Sequence, residues 1–236
     1  MYELSATYYD RIYSWKDYPR ECERLREIVG EHLRSDRIGV ERRLLDVACG
    51  TAEHLLHLRD DFTMEGVDLL EEFLSIARAK LPDVPFHQGD MRSIALGRRF
   101  DVVICLFSAI GYMTTLDDLH RAVAAMAAHL VPGGLLIVEP WFTPDAWRSD
   151  TPHMITIDEP DFKLVRMNTS LTRDRLAVME MHHLVGTPEK TVHFVEHHEM
   201  LLAETDELLD AFRAAGLETW FDPEGLTWRG LVIGRA

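Results

Sequence analysis

An α/β fold, with a doubly wound, mostly parallel sheet and an antiparallel β insertion, is predicted by three features of this 236-residue chain. The first is the stretch Leu44-Leu45-Asp46-Val47-Ala48-Cys49-Gly50-Thr51-Ala52-Glu53-His54-Leu55-Leu56. An apolar run turns through small residues and restarts with helical spacing, the pattern of a buried strand, a tight loop and a helix. The second is that apolar runs and helical patterns keep alternating to Glu139, as repeated βα units require. The third is a change to period-two alternation over 143–202. The expected organisation is one domain over 1–236, with a core of 1–142 and 203–236 and an insertion at 143–202 that serves as a lid or a dimerisation surface.

Composition narrows the functional classes. At 47% hydrophobic residues, the length supports a substantial core. A formal charge of −15 argues against a nucleic-acid partner or an anionic membrane surface. No apolar run approaches the length that crosses a bilayer, and Met1-Tyr2-Glu3 does not begin a signal peptide. Three widely spaced cysteines (Cys22, Cys49, Cys105) suit neither a disulfide framework nor a zinc cluster, so a cytoplasmic location is expected.

In chain order, the N-terminal segment is crowded with Tyr2, Tyr8, Tyr9, Tyr13, Trp15 and Tyr18. Two roles are open for it: anchoring a terminal helix, or forming a flap whose hydroxyls meet a bound ligand. An amphipathic surface helix is expected from Tyr18 to Leu33, broken at Ser35-Asp36-Arg37. In the first βα unit, Asp46 sits at the strand's C-terminal edge, where doubly wound sheets bind ligands. Ala48 and Gly50 in the following turn let a cofactor lie against the backbone. Strand two, Thr63 to Asp68, ends in an acid eighteen residues beyond Gly50, the spacing at which such sheets grip ribose hydroxyls. Asp68 could also cap the helix expected over 71–81.

Strand three (84–88) runs into Gly89-Asp90-Met91, where Asp90 can accept from an adenine amino group and Met91 can pack on its ring. Asp90 is also a plausible turn aspartate. The most apolar run, Phe100 to Phe107, is the expected central strand, and the loop after it points Tyr112 towards a substrate. Cys105 is expected to be a core residue. An Ala-rich helix over 116–130 should leave His120 and His129 solvated. Pro132-Gly133-Gly134 should turn into a fifth strand ending in Pro140-Trp141-Phe142.

Within the insertion, strands are expected near 154–157, 164–170, 176–184 and 191–202. Period-two alternation puts His193 and His197 on one face and His198 on the other, so no metal site is expected. Thr205 should cap a helix closed by Gly216, before a final strand pair near 217–221 and 229–234.

Together these motifs resemble a class I S-adenosylmethionine-dependent methyltransferase, a Rossmann-like fold with a seven-stranded sheet. Finer stretches resemble the dTDP-amino-sugar N-methyltransferases of antibiotic biosynthesis. They are Lys16-Asp17-Tyr18, Leu44–Thr51, His87–Arg92 with Leu96-Gly97-Arg98, Phe107–Tyr112, Val138-Glu139-Pro140-Trp141, and Arg229-Gly230-Leu231. The resemblance implies that Tyr9, Ala48, Asp68, Asp90, Met91 and Leu106 contact S-adenosylmethionine, with Asp46 and Gly50 in the same loop. It implies that Tyr2 and Tyr112 border the sugar amine, and that Arg229 binds the nucleotide phosphates. Trp141 is expected on the substrate side, as are Asn168, Thr169 and Ser170 of the inserted sheet. Ala52, Asp68 and Leu106 stand where the family usually has glycine, glutamate and methionine.

The expected partner is a dTDP-amino sugar, the expected assembly a homodimer, and the expected chemistry an in-line methyl transfer that relies mainly on positioning. Two other readings stay open at this point: a methyltransferase for a non-nucleotide small molecule, and a non-catalytic S-adenosylmethionine-binding subunit.

Overall fold

Strands β1 (Arg43–Val47), β2 (Thr63–Asp68), β3 (Phe86–Gln88), β4 (Phe100–Cys105) and β5 (Leu130–Val138) form the parallel part of the main sheet. The computed structural model describes residues 6–34 and 41–236. Tyr2 and the Ser35-Asp36-Arg37 break lie outside the described residues. Helices α1 (Tyr9–Ile12), α2 (Tyr18–His32), α3 (Glu53–Leu58), α4 (Glu71–Lys80) and α5 (Leu116–Ala127) precede or connect these strands. Next come β6 (Pro152–Glu159), β7 (Phe162–Arg173), β8 (Leu176–Gly186) and β9 (Thr191–Leu201). Helix α6 (Thr205–Ala214) then leads to β10 (Glu218–Asp222) and β11 (Leu231–Arg235).

The seven-stranded sheet has the order β10-β11-β5-β4-β1-β2-β3, and β6-β7-β8-β9 form a separate antiparallel sheet. The fold is that of the class I methyltransferases. The continuous apolar runs are explained by burial on both faces. Leu44, Val102, Ile104, Leu135 and Ile137 pack with α2, α3 and α4. Their neighbours Leu45, Val47, Val103, Cys105, Leu136 and Val138 pack with α5 and α6. Because β1 pairs with β2 on one side and β4 on the other, the strand order reverses between β1 and β4. Ligands bind beyond the C-terminal ends of strands at such a switch point.

Several local expectations are corrected. Pro132-Gly133-Gly134 lies inside β5 rather than turning into it. The register against β4 shifts there, and Gly133 takes φ +74° and donates to the carbonyl of Ala236 (2.7 Å). The strand thus absorbs the glycines as a bulge held by the chain's C-terminal end. Glu204, not Thr205, caps α6, through a capping box with Glu207. His129 is buried rather than solvated: its Nε2 accepts from the Leu96 amide (3.0 Å), and its Nδ1 donates to the Ala125 carbonyl (2.7 Å). It closes the end of α5 onto the loop before β4. Cys105 is a core residue as expected.

Candidate active site

A cavity of about 570 Å³ opens at the switch point, between the C-terminal ends of the parallel strands and the inner face of the inserted sheet. Its lining brings together Tyr9, Ala48, Gly50, Asp68, Asp90, Met91, Leu106, Tyr112, Trp141, Ser170 and Arg229. These residues span most of the chain in sequence, yet they share one wall system. Asp46 faces an adjoining cavity of about 40 Å³ that shares Tyr9, Ala48, Gly50 and Leu106 with the larger one.

The backbone at this edge is held in unusual conformations. Ala48, Ala52, Phe107 and Ser108 all have left-handed φ angles, between +52° and +66°. Each costs a non-glycine residue about 1–3 kcal/mol, a cost typical of sites where loop shape matters more than stability. The φ of +66° at Ala52 explains why glycine is usual at this position in the family. Phe107 is stabilised in place by donating its amide to Glu139 Oε2 (2.7 Å), and Ser108 Oγ donates to the Pro140 carbonyl (2.6 Å).

Two carboxylates shape the β1–β2 edge. Asp68 Oδ2 accepts from the Gly50 amide (2.8 Å) and Oδ1 from the Leu70 amide (2.9 Å). It therefore ties the loop after β1 to the end of β2, and the N-cap of α4 is Leu70. Burial raises the Asp68 pKa, against these amides, which lower it. Asp46 is 2% exposed, and its Oδ2 has no hydrogen-bond partner among the described residues. Burial, with Asp68 nearby, pushes its pKa well above the usual carboxylate range. A buried, unpaired carboxyl facing a small cavity suits a cationic group. The α-ammonium of S-adenosylmethionine fits that requirement, and the Asp68 carboxylate suits ribose hydroxyls.

Asp90 is gripped by Arg92, whose Nε lies 3.0 Å from both carboxylate oxygens and whose amide donates to Oδ1 (2.9 Å). Arg92 holds the Asp90 carboxyl below the usual range. The turn-aspartate role is thus realised, and the carboxylate keeps further acceptor capacity at the cavity edge.

The aromatic N-terminal segment anchors on the inserted sheet and the core, and two of its tyrosines line the cavity. Tyr8 anchors on Phe162 (centroids 5.6 Å apart) and Phe194 of the inserted sheet. Tyr9 packs on Phe73 (4.8 Å) and lines the cavity with Tyr13, whose hydroxyl accepts from Arg166 (3.0 Å). Asp10 pins the segment to the core by accepting from Thr51 Oγ1 (2.5 Å) and pairing with Lys80 (3.0 Å).

On the opposite side, Ser170 Oγ accepts from Asn168 Nδ2 (3.1 Å), and both side chains are buried on the inner face of β7. Thr169 is exposed on the outer face and does not meet the cavity, because side chains alternate along a strand. Met179, Met181 and Met200 form an apolar wall beside Tyr112 and Trp141. Arg229 lies among the rings of Trp141, Phe142 and Trp228, at 5.3–5.9 Å from their centroids. One of its terminal nitrogens is 3.5 Å from Glu139 Oε1, and its Nε is buried without a hydrogen-bond partner among the described residues.

Sequence reasoning missed Glu139, Arg166 and His198. Glu139 is fully buried and accepts from both Phe107 N and Thr227 Oγ1 (2.7 Å each). Its one sequence signal was an acid ending an apolar strand. Arg166 and His198 carried no local signal, because their partners come from distant segments.

Comparison with known proteins gives consistent matches. Residues 44–134 match the family model for a methyltransferase domain. The chain is 38% identical to a dTDP-3-amino-3,6-dideoxy-alpha-D-glucopyranose N,N-dimethyltransferase from Streptomyces fradiae, over 97% of this chain and 89% of that protein. It is also 38% identical to a dTDP-3-amino-3,4,6-trideoxy-alpha-D-glucopyranose N,N-dimethyltransferase from Streptomyces venezuelae, over 99% of both. An S-adenosylmethionine-bound amino pentose methyltransferase of calicheamicin biosynthesis, from Micromonospora echinaspora, superposes with a TM-score of 0.82. The match has 35% identity and covers 93% of this chain and 92% of that one.

Proposed function

Because the chain belongs to the family of dTDP-amino-sugar N-methyltransferases, we propose that it methylates the amine of a dTDP-linked amino deoxysugar in natural-product biosynthesis, using S-adenosylmethionine and adding two methyl groups. The observation that carries this reading is the joining, in one cavity, of the Asp68–Gly50 strand edge with Tyr112, Trp141, Ser170 and Arg229.

S-adenosylmethionine supplies a methyl group on a sulfonium, already a strong electrophile, and a neutral amine is already a good nucleophile. The protein's task is therefore to bind, exclude water and align. Asp46 receives the cofactor's ammonium, Asp68 the ribose, and Asp90 the adenine amino group with Met91 on the ring. Tyr9, Ala48, Gly50 and Leu106 complete that half. The wall of Met179, Met181 and Met200 disfavours a charged ammonium beside it, which selects the unprotonated amine. Tyr112 orients that amine, with Trp141 and Ser170 flanking the sugar. Tyr2 belongs with Tyr112 in this proposal on family resemblance alone. Arg229 offers its unpartnered Nε to the diphosphate.

Incubation with S-adenosylmethionine and a panel of dTDP-linked 3-amino and 4-amino sugars, read by mass, tests the assignment. A gain of two methyl masses on one of them is expected. R229A should raise KM for that sugar nucleotide by roughly 10- to 150-fold, the value of one charge-assisted hydrogen bond, with cofactor affinity unchanged. No mass gain on any dTDP-amino sugar, or equal loss of affinity for both substrates in R229A, would contradict it.

We propose further that the enzyme works in the cytoplasm as a homodimer formed through the outer face of the inserted sheet. The buried free thiols Cys22, Cys49 and Cys105 suit a reducing compartment. Among the described residues no helix is long and apolar enough to cross a membrane. Met154, Met167, Leu171 and Leu184 are each 47–60% exposed, an apolar array that suits a second copy. Sedimentation equilibrium should give twice the chain mass, falling to the monomer in M167K/L184K. A monomeric unsubstituted protein would sink the dimer.

A further inference from the structure

The inserted sheet delivers a histidine to the tyrosine at the acceptor side of the cavity. Tyr112 follows β4 in the core, and His198 comes from the inner face of β9. The Tyr112 hydroxyl lies 2.8 Å from His198 Nδ1. Across the imidazole, Nε2 faces Glu196 Oε2 at 4.0 Å, and His183 Nε2 approaches the same oxygen at 3.9 Å. His198, Glu196 and His183 are all 1–3% exposed. An acid and two imidazoles are thus stacked behind one tyrosine, on a face that also carries Arg166, Asn168 and Ser170 from β7.

We propose that His198 is a positioning residue for methyl transfer: its Nδ1 accepts a hydrogen bond from the Tyr112 hydroxyl and so turns the tyrosine oxygen's lone pairs towards the acceptor amine. This rests on the reading that Tyr112 borders that amine. A neutral imidazole has one donor and one acceptor nitrogen, and the partner of one decides the role of the other. The Glu196 carboxyl beside Nε2 favours a proton there and leaves Nδ1 to accept. Burial, reinforced by the charge of Arg166, pushes the His198 pKa down to about 3, so the ring stays neutral. Burial similarly lowers His183 to about 4.

The polarity matters for the chemistry. With its proton committed to His198, Tyr112 accepts an N–H from the amine, which leaves the nitrogen lone pair free to point elsewhere, towards the methyl donor. With the opposite tautomer, the hydroxyl proton would be aimed at that lone pair and would quench the nucleophile. Each transfer forms an N–C bond as the S–C bond breaks with its electron pair left on sulfur, and the resulting ammonium gives one proton to solvent water. The secondary amine so restored still carries an N–H, so the same contact serves a second round; the tertiary amine, once its ammonium has given up its proton, has none and loses the contact.

The test compares Y112F, H198F, H198N and the double variant Y112F/H198F, measuring kcat and KM for the sugar nucleotide and cofactor affinity by calorimetry. H198F keeps the ring and removes the acceptor; H198N places an amide oxygen near the position of Nδ1. H198F should lower kcat about tenfold, with sugar KM and cofactor affinity changed by less than about threefold. H198N should recover most of the loss, and H198F should cost nothing further in the Y112F background. Additive losses in the double variant, or H198N as impaired as H198F, would overturn the positioning role while leaving Tyr112 at the amine. Full turnover in Y112F would instead remove Tyr112 from the amine, and the His198 proposal with it.

Discussion

Asp68→Ala is expected to weaken S-adenosylmethionine binding by roughly 30- to 1000-fold, read as Kd by calorimetry. That range corresponds to about 2–4 kcal/mol, the value of one or two charge-assisted hydrogen bonds to ribose hydroxyls. The effect is compounded because Asp68 also accepts from the Gly50 and Leu70 amides at 2.8 and 2.9 Å. Alanine removes the ligand contact and the tie that shapes the loop carrying Ala48 and Gly50. Asp68→Glu should be much milder, within about tenfold, because it keeps the carboxylate and needs only a side-chain readjustment. A D68A variant that binds the cofactor within threefold of the unsubstituted protein would remove Asp68 from the site.

The second large effect is expected at Glu139, which touches no ligand in the proposed arrangement. Glu139→Ala should destabilise the fold by about 3–5 kcal/mol, the cost of leaving a buried ion pair half broken. For a chain of this size, that corresponds to a fall in Tm of about 6–20 °C. Three donors lose their acceptor at once: the left-handed Phe107 amide, Thr227 Oγ1 and Arg229. The sugar-nucleotide KM should rise in the same variant, because Arg229 loses its anchor. Glu139→Gln retains the volume and one acceptor and should fall between the two proteins. Calorimetric unfolding checks the ranking. A loss below about 1 kcal/mol in E139A would show that water or a neighbour replaces the carboxylate.

Most of the strand-end side of the cavity was legible in the chain itself. A buried strand, a small-residue turn and acids at successive strand ends are local features, since each strand places its terminal residues at the same sheet edge. Asp46, Ala48, Gly50, Asp68, Asp90 and Met91 were accordingly expected at that edge, and they line the two adjoining cavities there. The opposite side was less legible. Arg229 and Tyr112 came from family resemblance or loop position, while Glu139 entered only within a family stretch, His198 only as a metal ligand set aside, and Arg166 not at all. Thr169 was placed with its neighbours, although the pleat sends it to the opposite face.

By itself, the sequence determined the alternation of strands and helices, the acids at the strand ends and the change to an antiparallel insertion after residue 142. These follow from hydrophobic period and turn chemistry, which act over a few residues. Only the tertiary structure decided that β4 lies beside β1 and opens the cavity between them. Only there does Tyr112 meet His198, 86 positions away, and Glu139 hold Phe107 and Thr227 together. Such pairings depend on sheet order, strand register and the packing of the insertion over the core. The same registers and packing buried His129 and absorbed Pro132-Gly133-Gly134 into β5 as a bulge. Local periodicity sets which way a side chain points; long-range packing sets what it finds there.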